Sequence, residues 1–189
     1  MDQLHGTTVL FIHGFGANPD LDFYPTLTPL LEHEGIQYMI PALPDSSHPE
    51  KNAWLARIKH TYDHIDGPVI LVGHSLGTRA ALLFLEQFEV KVAATLLIAP
   101  FSNSIANADR RHGVYASFFD HKIDIGVVKL RCPKFVVMHS KDDDAIDFAQ
   151  GQEIAQDLGA ELITYEDRHH FSEPQNAPEI FRVLHTLVL

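Results

Sequence analysis

The stretch Val69-Ile70-Leu71-Val72-Gly73-His74-Ser75-Leu76-Gly77 decides how the chain is read. Its first four residues are apolar without interruption and three are β-branched, the composition of a central strand covered on both faces. The run stops at a serine with a glycine two positions away on either side. From Leu76 onward, Ala80, Ala81, Phe84 and Phe88 return at helical spacing. Strand, tight turn and helix therefore meet at Ser75. A serine on so sharp a turn sits in strained backbone at the end of the sheet, and glycine at 73 and 77 lets the neighbouring backbones close on it. Taken alone the pattern also fits a helix N-cap, but the strand before it and the helix after it favour a nucleophile.

Outward from this turn, helix and strand patterns alternate. Thr7 to Ile12 reads as a strand ending in His13-Gly14-Phe15-Gly16, a glycine-rich turn whose amides could face a developing oxyanion. Phe15 N–H and Leu76 N–H are the expected pair of donors. Phe23, Leu27, Leu30 and Leu31 mark one face of a helix within 20–34, with Gly35 as its C-terminal cap. Pro29 leaves two options open, a kinked helix or one that starts near Thr28. Gln37 to Ile40 is a short strand before the rigid loop Pro41 to Pro44. Asn52 to Ile65 is a helix with Trp54 expected in the core. Val92 to Ile98 is a further strand. After the strand Phe135 to Met138 come a helix over Phe148 to Leu158, a strand over Leu162 to Tyr165 and an amphipathic helix over Pro178 to Leu187. Such alternation implies a parallel sheet with helices on both faces.

Periodicity fails between Phe101 and Asp120. This segment carries Ser102-Asn103-Ser104, Asp109-Arg110-Arg111-His112 and then Tyr115, Phe118 and Phe119. It reads either as a pocket wall or as a loop with an apolar anchor. Phe118 and Phe119 are the expected pocket residues, and the segment is too short for a substantial helical cap.

Two further turns complete a constellation. The strand ending at Met138 runs into Ser140-Lys141-Asp142-Asp143-Asp144, and the strand ending at Tyr165 is followed by His169-His170-Phe171. Serine, carboxylate and histidine then follow three strands in that order. With these motifs the chain resembles, over essentially its whole length, the small single-domain serine hydrolases of the α/β-hydrolase superfamily, the retinoblastoma-binding-type hydrolases and their bacterial relatives. The resemblance implies a three-layer α/β/α fold with a mostly parallel sheet of about six strands and little or no cap. It implies Ser75 as nucleophile, His170 as base and Asp143 as acid, with Ile146 three residues after the acid as in the family's turn. Asp144 stands where the family has proline, and His169 where it has glycine. The retinoblastoma-binding signature is not met, since Leu130-Arg131-Cys132-Pro133-Lys134 ends in lysine, so no pocket-protein partner is implied.

Composition bounds the rest. A chain of 189 residues with 46 % hydrophobic residues fits one domain, 1–189, with a single core. A formal net charge of -11 argues against nucleic acid or an anionic membrane as partner, and favours a small acyl substrate. Cys132 is the only cysteine, so no internal disulfide forms and it reads as a small core or surface residue. The first apolar run, Val9 to Ile12, is too short for a signal sequence, and no membrane span is evident, so a cytoplasmic location is expected. No metal or cofactor is expected, because the helical ligand spacing of a zinc protease is absent. The expected activity is hydrolysis of short-acyl carboxylic esters. A thioesterase, an amidase, or a binding module on a hydrolase scaffold remain alternatives.

Overall fold

The computed structural model describes residues 6–188; residues 1–5 and 189, at the two ends of the expected domain, lie outside that description. Among the described residues, six strands form one parallel sheet in the order β2-β1-β3-β4-β5-β6. They are β1 (Thr8–Ile12), β2 (Gln37–Met39), β3 (Val69–His74), β4 (Ala94–Ile98), β5 (Phe135–Ser140) and β6 (Glu161–Tyr165). The helices are α1 (Tyr24–His33), α2 (Lys51–Tyr62), α3 (Leu76–Gln87), α4 (Ile125–Arg131), α5 (Phe148–Leu158) and α6 (Ala177–Val188). None of the described helices is long and apolar enough to cross a membrane.

Residues alternate across the sheet, as a strand's period of two requires, and each face builds its own core. Leu10, Ile12, Val69, Leu71, Leu97 and Val137 pack with α2, α3, α4 and α5 on one side. Val9, Phe11, Ile70, Val72, Leu96 and Met138 pack with α1 and α6 on the other. Trp54 is fully buried, with its indole N–H donating to Pro44 O at 2.8 Å. Cys132 is also buried, beside Thr95 Oγ1. Helix α1 begins at Tyr24 rather than near Thr28. Pro25 occupies its first turn, and Pro29 sits inside it.

The chain runs from β1 out to β2 and then crosses back to place β3 on the other side of β1. Ligands of open parallel sheets bind in the crevice that such a reversal leaves beyond the carboxyl ends of the strands. At that place the backbones are very close. A Cβ on Gly77 would stand 2.1 Å from Ile12 O, and one on Gly73 would stand 2.6 Å from Thr78 Cα. Both are contacts with main chain, which cannot swing aside.

Ten consecutive residues of α3, Leu76 to Leu85, are buried, so the helix is covered all round. Its cover includes the aperiodic segment, and the clamp is Arg79. Its Nε donates to Phe118 O at 2.7 Å, one terminal nitrogen to Asn103 Oδ1 at 2.7 Å and the other to His121 O at 2.6 Å. Its guanidinium also lies 4.9 Å from the centre of the Phe119 ring. Burial pulls its pKa down to about 10, so the cation persists at neutral pH, held by oxygen acceptors in place of water. Phe118 and Phe119 are therefore not pocket residues. They are 0 % and 1 % exposed, one ring against Trp54 and the other against Phe101, because Arg79 draws their backbone onto the elbow helix.

Two expectations follow. Gly77→Ala should cost about 3 kcal/mol or more, since its Cβ displaces backbone rather than a flexible side chain, and a shift of the urea midpoint reads this. His13 and His74 are buried, with pKa values lowered chiefly by that burial, His74 to about 3. The unfolded chain protonates these rings first, near about pH 6.5. Their contribution is therefore complete above that pH and lost as pH falls below it, by about 1.4 kcal/mol per pH unit for each ring that stays neutral in the fold. Urea midpoints should fall between pH 7 and pH 5, and fall less steeply in His74→Gln.

Candidate active site

Ser75 closes β3 with φ 54° and ψ −123°, a left-handed backbone rare outside glycine. Its N–H is tied to Ile98 O at 3.0 Å, and its side chain caps nothing in α3. The hydroxyl instead reaches His170 Nε2 at 2.9 Å. On the far side of the ring, Nδ1 lies 2.9 Å from Asp143 Oδ2 and 3.1 Å from Oδ1. Nδ1–H thus donates to the carboxylate and leaves the Nε2 lone pair facing the serine. The three residues expected from the sequence meet in one chain of hydrogen bonds, after β3, β5 and β6.

The carboxylate is more heavily held than the sequence indicates. The Asp143 side chain is fully buried, and burial alone would raise its pKa. Hydrogen bonds from His139 and His170 outweigh that and hold it well below the usual carboxylate range. Backbone N–H groups of Ala145 and Ile146 each donate to Oδ1 at 2.9 Å. His139 Nε2 lies 3.1 Å from Oδ2. His139, next to last in β5, is fully buried, and a Cβ on Gly151 of α5 would stand 2.1 Å from its Nδ1. A glycine in the middle of a helix, unfavourable in isolation, is therefore what makes room for the second imidazole.

The neighbouring acid has a different task. Asp142 accepts from the Ser140 hydroxyl and from His169 N–H at 2.9 Å, and its Oδ2 faces His169 Nδ1 at 2.9 Å. It staples the acid turn to the loop that carries His170. That loop is tightly bent, with His169 at φ 48° and Phe171 at φ 61°. His74 completes the support, donating from Nε2 to His170 O at 2.8 Å.

Gly14 lies directly over the serine, where a Cβ would approach Ser75 Cβ to 3.0 Å. His13 fixes that loop. Its Nδ1 donates to Gly14 O at 3.0 Å, and its Nε2 accepts from Leu43 N–H at 3.1 Å. Leu76 begins α3, so its N–H belongs to the group that a helix leaves unbonded. The amides of Phe15 and Leu76 belong to residues that line the same cavity as Ser75 and His170, of about 410 Å³. Phe101, Tyr115, Arg110, Arg111 and Asp22 line it too. Tyr115 and the two arginines come from the aperiodic segment, in place of Phe118 and Phe119. Asp22, in left-handed backbone at φ 57°, was not anticipated at all. Its carboxyl pKa is raised chiefly by burial, partly offset by His170, and it lies 3.7 Å from His74 Nδ1. A hydroxyl, an imidazole and a carboxylate in line beside two amides can carry out acyl transfer through a covalent intermediate.

The chain is similar to known proteins along most of its length. The chain is 28% identical to YdeN of Bacillus subtilis (strain 168) over 181 residues, 93% of each chain. It is 27% identical to the serine hydrolase RBBP9 of Rattus norvegicus over 154 residues, covering 82% of this chain and 79% of that one. The crystal structure of the B. subtilis ydeN gene product superposes with a TM-score of 0.83 at 26% identity, covering 96% of this chain and 98% of that one. The Arabidopsis methylesterase MES16, at 15% identity and a TM-score of 0.71, covering 95% and 99%, shares the fold. The serine hydrolase family model matches residues 9–185, and the chain belongs to that family.

Proposed function

We propose that the protein hydrolyses carboxylic esters of short acyl chains through Ser75, His170 and Asp143. The observation that carries this reading is the continuous line from Ser75 Oγ to His170 Nε2 at 2.9 Å and from Nδ1 to Asp143 Oδ2 at 2.9 Å, opening on the cavity. His170 takes the serine proton as Oγ adds to the ester carbonyl, and the oxyanion that forms lies between Phe15 N–H and Leu76 N–H. The imidazolium then gives its proton to the departing alkoxide. Water repeats the sequence on the acyl-enzyme and releases the acid. Asp143, ionised throughout the working range, holds the tautomer and stabilises the imidazolium. His139 and the two backbone amides keep that carboxylate from turning away.

Short chains are favoured by what the cavity wall contains. Among the described residues the segment over it holds no helical cap, only 3₁₀ turns within Ile105–Gly113, broken at Arg110 to His112, and at Ala116–Phe119. Arg110, Arg111, Asp22 and Asp144 interrupt the apolar lining. A long acyl chain would leave much of its length in water and forgo the roughly 0.8 kcal/mol per methylene that burial supplies.

Ser75→Ala should abolish both labelling by a fluorophosphonate probe and esterase turnover, and Asp143→Asn should lower kcat by several orders of magnitude. Asp142→Asn, which keeps an acceptor for His169 N–H, should lose far less. Probe adducts at Ser102 or Ser140 would refute the assignment. Across p-nitrophenyl esters from acetate to palmitate, kcat/KM should peak among the shortest chains; a steady rise to palmitate would show an acyl groove that the cavity does not contain.

A further inference from the structure

Arg110 and Arg111 line the cavity that holds Ser75, in a chain whose formal net charge is -11. Three other arginines face carboxylates, Arg131 with Glu89 at 3.7 Å, Arg168 with Asp167 at 3.7 Å and Arg182 with Glu179 at 2.9 Å, and the buried Arg79 is held by oxygen acceptors. Among the described residues, neither Arg110 nor Arg111 has a carboxylate within 4.0 Å. Each lies instead over an aromatic ring of the cavity wall, Arg111 5.0 Å from the centre of Phe15 and Arg110 5.7 Å from that of Phe101. Arg110 is further fixed by donating to Ala145 O at 2.8 Å.

The backbone that carries them is sharply bent. Arg111 and His112 are consecutive non-glycine residues in left-handed conformation, φ 48° and 57°. Such conformations cost energy and persist where the surroundings over-determine them. The two acids of the cavity do not satisfy these cations: Asp22 belongs to the histidine side, 3.7 Å from His74 Nδ1, and Asp144 is exposed on the acid turn. Arg111 also faces the Tyr115 hydroxyl, and the fork of a guanidinium over a ring has further donors at its edge for a planar anion.

We infer that the substrate carries an anionic group, a carboxylate or a phosphate close to its scissile bond, bound by Arg111 together with Arg110. This rests on the esterase reading above and names the substrate class for the same site. The anion takes the exposed edge of Arg111 while the scissile carbonyl lies against Phe15 N–H, beneath the same guanidinium.

Two pairs of esters, differing only in charge, test it. On the leaving-group side they are 4-acetoxybenzoate and 4-acetoxybenzamide. On the acyl side they are mono-p-nitrophenyl adipate and the corresponding adipamic ester. In at least one pair, kcat/KM for the anion should exceed that for the amide by about tenfold, the scale of one charge-assisted hydrogen bond. The ratio should collapse in Arg111→Gln, survive in part in Arg111→Lys, and shrink as salt is raised. Equal rates within both pairs, or a preference that Arg111→Gln and Arg110→Gln leave intact, would overturn the inference. The esterase reading fails separately, by absence of turnover of every ester and of fluorophosphonate labelling at Ser75. Even then the binding arm decides: in NMR titrations of Ser75→Ala the anion of at least one pair should bind more tightly than its amide, and Ser75→Ala/Arg111→Gln should lose that difference.

Discussion

The approach of α3 to β1 is the constraint on which the candidate site depends. Gly77 brings the first turn of the helix so near the carbonyl edge of β1 that no side chain fits between them. That contact fixes how far Ser75 stands from the loop His13-Gly14-Phe15, and hence how far the serine oxygen lies from the two amides. These positions are set by main-chain sterics. Side chains enter afterwards: the neutral, buried ring of His13 donates to Gly14 O and accepts from Leu43 N–H, and that of His74 donates to His170 O.

The acid and histidine turns are organised differently, by polar bonds rather than close backbone contact. Asp143 is a carboxylate in a dry place, surrounded by donors from its own turn, from β5 and from the loop after β6. Removing a buried charged group from such a set is costly because each donor is left without an acceptor. Asp142 performs the complementary task at the surface, where it ties two loops without touching the serine.

Much of the fold was legible because its signals are local. Uninterrupted β-branched runs marked the strands, and the glycines at 73 and 77 marked the turn. The three candidate residues that the structure brings together were marked in the sequence by their places after β3, β5 and β6. The departure at His169 reads clearly in hindsight: the residue takes φ 48°, a conformation that glycine adopts freely and that this chain accepts at some strain. What the sequence could not convey was the direction in which an aperiodic segment turns its side chains. Phe118 and Phe119 carry the same composition signal as Phe101 and Tyr115, yet Arg79, one turn into the elbow helix, pulls the first pair inward. A buried arginine bound by carbonyl oxygens leaves no pattern of charges to read. His139 was equally silent, since it directly follows an apolar strand and acquires its meaning only from Asp143 four residues on. Asp22 is a loop residue whose relevance depends on a histidine fifty-two positions later.

The pairing of His139 with Gly151 constrains how this chain can change. While the imidazole is present, position 151 admits no β-carbon, so alanine there would have to evict the ring that supports Asp143. Exchanging the histidine first opens a void beside the bare helix and removes a donor from a buried carboxylate. Either single step carries a penalty that the two together partly cancel, so the sites couple rather than add. The route from this version of the acid turn to one without the second imidazole thus passes through a less stable intermediate, and the order of replacement matters as much as the end point.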